Sequence, residues 1–211
     1  MTRSYALVNR TVWRSYFALV VFCGVALVVS VPGARAVRDL TPSAFLTGAP
    51  TFFYAYVLLL GLLGLGVGTA SAEQDEWGRR AVISLALRVL LGQLACAPYL
   101  LFARALAPGR DGALAAIVIL TTLVSLSHAL LSRAIERWPG SSAGFVAKSA
   151  FFLSYYIVPL ATLPALSPLG AVRILLAGAA TAEAVLAFAI PVGLLLALLP
   201  LVLALRGGER A

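Results

Sequence analysis

Residues 71–80 read Ser71-Ala-Glu73-Gln-Asp75-Glu76-Trp77-Gly78-Arg79-Arg80. Three of the chain's eight acidic residues fall here within four positions, and two arginines follow at once. Long apolar runs lie on both sides. A bilayer interior does not tolerate so compact a group of charges, so this segment faces water or a partner protein. The rest of the chain is therefore read as membrane-crossing helices arranged about a charged turn.

Composition agrees. The chain has 211 residues, of which 62% are hydrophobic and 11% charged, with a mean hydropathy of +1.00. Soluble domains carry roughly 25% charged residues. The net charge of +8 does not indicate a nucleic-acid partner, because the arginines are dispersed and sit at the ends of apolar runs. Cys23 and Cys96 each lie within an apolar run and read as buried free thiols, with no CxxC motif.

A helix that spans a bilayer needs about 20 mostly apolar residues. Six runs qualify: 13–31, 51–69, 84–106, 112–131, 144–163 and 182–205. The expected fold is all-α, a single transmembrane domain over 1–211 with six spans. Residues 1–36 imitate a secretory signal, with Arg3, Arg10 and Arg14 before the run and Ala34-Arg35-Ala36 after it. They are read as a retained first helix. With the N-terminus inside, ten Lys and Arg residues flank the inner ends and five the outer ends, with Arg88 left in the third run. That bias places both termini in the cytoplasm. Trp13, Trp77 and Trp138 all fall at the inner ends, where amphipathic rings settle.

The first outer loop, Pro32–Pro50, reads as irregular or partly interfacial. After the fifth run, Pro159, Pro164 and Pro168 fall within ten residues, yet apolar character continues through 170–180. Prolines at that density break a helix. The expectation is an outer re-entrant or interfacial helical hairpin between helices 5 and 6.

Catalytic chemistry finds little support. His128 is the only histidine and has no carboxylate or thiol within a turn, so no metal site is expected. Residues 144–149, Gly144-Phe-Val-Ala-Lys148-Ser149, end like a phosphate loop but lack its spacing and the glycine before lysine. The chain is accordingly not read as an enzyme. Four polar positions inside the runs, Arg88, His128, Tyr155 and Glu183, are the candidates for a substrate path. Arg88 reads first as snorkelling to the inner surface or pairing with Glu73 or Glu76, and second as lining an inner vestibule. Glu183 suits the N-terminus of the sixth helix and could pair with Arg173. Gly61, Gly64 and Gly68 form a small-residue stripe that lets helix backbones approach.

The opening stretch has its own pattern. If it is helical, Glu73, Glu76 and Arg80 share a face, and Glu76 and Arg80 form a favourable i,i+4 pair. With the apolar residues that follow, this reads as a short helix on the inner surface.

The order of these features resembles the membrane subunits of ABC-2 type transporters. The residues that carry the resemblance are Glu73-Gln-Asp-Glu76-Trp-Gly78, then Leu91-Gly92-Gln93-Leu94, the basic loop Ser132-Arg133 through Arg137, and Leu166-Ser167-Pro168-Leu169. Gly78-Arg79 stands where that family commonly has Gly-Thr, and the acidic element lies closer to Leu91-Gly92-Gln93. The surface helix is thus either shorter or continuous with the third span. The length is closer to the short haem-exporter-like branch than to the long drug exporters.

What the resemblance implies is a permease of the cytoplasmic (inner or plasma) membrane that exports a lipidic or amphipathic substrate. It implies a second permease copy or paralogue and a separate ABC ATPase subunit that carries the ATP and Mg, with no cofactor in this chain. Glu73, Asp75, Glu76, Gly78, Arg79 and Arg80 would contact that ATPase as a coupling helix. The alternative is a non-transporting membrane scaffold of a larger complex. A membrane-embedded enzyme acting on lipid is a weaker third reading.

Overall fold

A computed structural model describes residues 10–31, 41–73, 78–136, 141–178 and 181–204. All described elements are helical. They are α1 (Arg10–Val29), α2 (Pro42–Glu73), α3 (Gly78–Ala95), α4 (Ala97–Leu106), α5 (Asp111–Ile135), α6 (Ser141–Tyr156), α7 (Val158–Thr162), α8 (Pro168–Ala177) and α9 (Thr181–Ala204), with a 3-10 turn at Pro164–Leu166. Five are long and apolar enough to cross a membrane, or six if α3 and α4 count as one bent span. The chain is a multi-pass membrane protein by that measure.

Direction follows from who touches whom. Ser125 Oγ donates to the Leu60 carbonyl at 2.8 Å, and Ser132 Oγ donates to that of Leu65 at 2.8 Å. Rising numbers meet rising numbers, so α2 and α5 run parallel, and theirs is the most extensive contact in the bundle. Tyr16 on α1 donates to the Arg88 carbonyl on α3, and Cys23 further along α1 meets Cys96 just beyond the end of α3, so those two also run together. Tyr56 on α2 meets Gln93 on α3, and the Leu203 carbonyl of α9 lies 3.8 Å from a Cβ built on Gly78. Successive spans therefore alternate. The last residues of α2, α5 and α9 and the first of α3 and α6 share one end of the bundle, the Glu136 end.

Two elements differ from the apolar-run reading. α2 begins at Pro42, so the second half of the Pro32–Pro50 stretch is helix rather than irregular loop. Pro50 is accommodated within it, as prolines are in membrane helices when neighbours cover the freed carbonyl. The third run is not one straight helix but breaks at Cys96, and α3 and α4 meet at 47°. Pro98 has no N–H for the Leu94 carbonyl, and its ring crowds the preceding turn, which is enough to bend the span there.

The proline-rich segment after α6 forms ordered short helices. Ser167 caps α8 by accepting from the Leu169 N–H at 3.3 Å, with Pro168 following at the first helical position. The same hydroxyl donates to the Tyr156 carbonyl at 2.7 Å, at the end of α6. α8 is ten residues long, too short to span, and packs against α5, α2 and α9.

Candidate functional site

The charged stretch falls on the ends of two long helices. Glu73 closes α2, and Gly78, Arg79 and Arg80 open α3. Gly78 has φ +55°, a left-handed value that suits glycine, and 78–80 are continuous with the third span. The surface-helix reading of Glu73–Arg80 turns on residues 74–77, which lie outside the described residues. Arg79 and Arg80 are exposed. Asp75, Glu76 and Trp77 lie outside the described residues, as do Arg137 and Trp138, and of Glu73 only the backbone is described.

At the same end of the bundle opens a lateral cleft of about 900 Å³ between α2, α5 and α6. Its body is apolar: Leu62, Leu65 and Gly66 on one side, Phe145, Phe152 and Leu153 on the other. Its end is polar. Lys148 Nζ bonds the Glu136 carboxylate and donates to Thr69 Oγ1 at 2.8 Å. The Lys148 side chain is 14% exposed and that of Glu136 33%. A half-buried ion pair at one end of an apolar trough has the polarity pattern of an amphiphile, polar at one end and apolar along its length. Ligand pockets commonly enclose about 300–1,000 Å³, so the volume suffices.

The cleft exists because its walls are unequally held. α2 and α5 are locked together. A Cβ on Gly64 would overlap the Ser125 carbonyl, and one on Gly68 would overlap that of Ala129 and lie 2.7 Å from Ser132 Cβ. The glycine stripe is thus filled from within the chain, by α5, and Gly61 is covered by the Tyr156 hydroxyl of α6. By contrast, only 11% of the span that includes α6 is buried, against 56% for α5.

What holds α6 is aromatic. Phe151, Phe152, Tyr155 and Tyr156 surround the His128 ring, with centroids 5.3 to 6.1 Å away. His128 is fully buried, and its Nδ1 lies 2.7 Å from the Val124 carbonyl. That acceptor requires the proton on Nδ1. Nε2 is then a bare acceptor, with no hydrogen-bond partner among the described residues. Tyr155 serves as one wall of this enclosure.

The other intramembrane candidates are placed elsewhere. Arg88 is fully buried rather than snorkelling to a water-facing surface, and it is the largest side chain so enclosed. Glu183 is exposed in the first turn of α9, and among the described residues it makes no salt bridge with Arg173. Residues 144–149 lie inside α6, where the backbone N–H groups bond within the helix and cannot cradle a phosphate. Among the described residues no three His, Cys, Asp or Glu side chains come close enough to hold a metal ion.

Two groups of polar residues escape a reading by charge and motif. Thr69, Glu136 and Lys148 are 67 and 79 positions apart along the chain and meet only in the fold. The nearest hint is that Lys148 is the only lysine. The second group is central: Tyr56 donates to Gln93 Oε1, and Gln93 Nε2 donates to Thr121 Oγ1 at 2.9 Å. This network joins α2, α3 and α5 through the Gln of the Leu91-Gly92-Gln93 element. No protein-family profile, characterised protein or solved structure matches the chain.

Proposed function

We propose that this chain is the membrane-spanning permease subunit of an ATP-driven exporter, and that the cleft between α2, α5 and α6 receives an amphipathic cargo from the bilayer. The observation that carries the reading is the cleft itself, an apolar trough of about 900 Å³ with the Lys148–Glu136 pair at its end. Neither a structural scaffold nor a simple packing defect needs an ion pair there. A paired lysine and glutamate carry no net charge, which suits a zwitterionic or neutral polar head over an isolated ion.

The source of energy rests on the resemblance to ABC-2 permeases. In this reading the Glu136 end is cytoplasmic, as the arginine bias favours. The end of α2 and the start of α3 then lie at the same end of the bundle as the polar end of the cleft. An ATPase seated on Glu73, Asp75, Glu76 and the arginines after them would move α2, which forms one cleft wall. The short helices after α6 take the place of the outer re-entrant hairpin. A second permease copy completes the assembly.

The test is isolation from native membranes followed by identification of what accompanies the chain. A phosphate-loop ATPase is expected in stoichiometric amount. Its absence would favour the scaffold reading instead. Glu73→Ala combined with Glu76→Ala is expected to uncouple cargo transport from ATP hydrolysis while leaving the folded chain in the membrane. Transport at the unaltered rate would remove the coupling role.

A further inference from the structure

Cys23 on α1 and Cys96 at the α3–α4 break are 73 positions apart in sequence, yet their sulfurs lie 3.7 Å from each other. Both side chains are fully buried. At this separation the thiols are in contact, and either can donate to the other. The approach is built in from both sides. Gly24 follows Cys23, and a Cβ there would lie 2.9 Å from the Tyr99 hydroxyl, so α1 runs close against the first turn of α4 at this point. On the other side, Cys96 is the hinge residue itself, the junction at which the span bends by 47°.

We propose that Cys23 and Cys96 are a dithiol site that a lipid-soluble oxidant of the quinone class closes to an intrachain disulfide, tying α1 to the break in the third span. A disulfide needs its sulfurs about 2 Å apart, so they must close by about 1.7 Å, a shift that side-chain rotation and a small helix movement share. In the reaction the two S–H bonds break and one S–S bond forms. The two protons and two electrons pass to the quinone, which leaves as the quinol. A quinone is the fitting oxidant because both thiols lie within apolar spans, out of reach of aqueous glutathione. α1 also shows most of its surface to lipid, with only 28% of its span buried. Once formed, the bond fixes the one residue about which α3 and α4 can change their angle.

The experiment uses the full chain in lipid nanodiscs, treated with a decyl-substituted benzoquinone, digested without reductant and read by mass spectrometry. Most of the chain is expected to yield a Cys23–Cys96 linked peptide pair that a membrane-permeant phosphine separates again. Amide exchange over residues 94–100 is expected to slow at least tenfold in the oxidised chain. Cys23→Ser and Cys96→Ser should each give no intrachain link. The proposal is overturned if both thiols remain free to alkylation after quinone treatment. It is equally overturned if quinone adds to a single sulfur, or if links form only between chains. A link that leaves exchange over 94–100 unchanged would refute the claim that the bond fixes the break. Because the wild-type chain alone decides these outcomes, a serine variant that fails to fold does not blunt the test.

Discussion

On α2, Gly68 and Gly66 are two residues apart and meet opposite surroundings. A side chain at Gly68 would strike the Ala129 backbone and Ser132, while at Gly66 it would meet nothing within 4 Å. The first faces the α2–α5 seam, and the second faces the cleft and α6. The seam is made from glycine, alanine and serine, with backbone against backbone and hydroxyls on carbonyls. The α6 wall is made from phenylalanine and tyrosine, held by ring contacts about one histidine. Small residues fix a helix pair because the approach has no slack. Rings can slide over one another at little cost, so the aromatic wall is the looser of the two, and in the proposed function it is the one that would admit a guest.

The strongest way to break this comparison is to put the same residue at both glycines. Gly68→Leu should destabilise the fold by ~3 kcal/mol or more, since the atoms it meets are backbone and cannot swing aside. The expected reading is loss of the monodisperse species in detergent. Gly66→Leu should leave the melting temperature nearly unchanged, because it removes a poor helix former and meets open space. It should nevertheless abolish binding of a fluorescent lysophosphatidylcholine by filling the cleft. Equal damage from the two would mean that seam and wall do not differ as described.

The polar end sharpens the cleft half of the comparison. Lys148→Met should weaken lysophosphatidylcholine binding about tenfold, or ~1.4 kcal/mol. Glu136→Gln should weaken it less, and the double variant should lose no more than Lys148→Met alone, because the two side chains act as one pair. Strictly additive losses would separate them. Binding unaffected by Lys148→Met would place the head group elsewhere.

How much of this was readable beforehand depends on which interactions are local. The presence of several spans follows from apolar run length, because the bilayer itself enforces it: the sequence-derived 182–205 differs from α9 by one residue at each end, and 112–131 from α5 by one and four, while α2 extends well beyond 51–69. The break at Cys96 was equally local, yet a count of apolar residues passes over Pro98, which is itself no interruption of hydropathy. The glycine stripe signalled close packing, but whether its partner would be α5 or another chain is a matter of tertiary geometry. The cleft was out of reach. Thr69, Glu136 and Lys148 each look ordinary at a helix end, and only parallel α2 and α5 with antiparallel α6 bring them together. Arg88 misled for the complementary reason. Spacing from Arg80 suggested reach to the surface, whereas the helices packed about α3 leave it fully buried.

The seam's hydroxyls should matter measurably but modestly. Ser125→Ala removes a hydrogen bond to the Leu60 carbonyl, and Ser132→Ala removes one to the Leu65 carbonyl together with a longer hydroxyl contact to Thr69 Oγ1 at 3.2 Å. Interhelical hydrogen bonds in membranes average ~0.6 kcal/mol, and that is the loss expected for each in a reversible unfolding series. The two sites are seven residues apart on α5 with no shared partner, so the losses should add. A loss of several kcal/mol from either would shift the seam's stability from glycine packing to hydrogen bonding.

The smallest effect belongs to the outermost ring. Phe145 is 73% exposed at the cleft's rim, and in a chain read as crossing the bilayer that surface would meet lipid tails rather than water. In a soluble protein, truncating an aromatic residue costs mainly the apolar area returned to water. Here the unfolded chain leaves that area in the same hydrocarbon, so the term nearly vanishes. Phe145→Ala should therefore change stability by no more than ~0.5 kcal/mol, as surface substitutions do. Phe152 is the control, about two turns further along α6: it stacks on Tyr156 with centroids 4.3 Å apart and closes the His128 enclosure. Phe152→Ala should cost clearly more in the same melt. If Phe145 proves as costly as Phe152, α6 is held along its whole length, and the cleft wall is as rigid as the seam it faces.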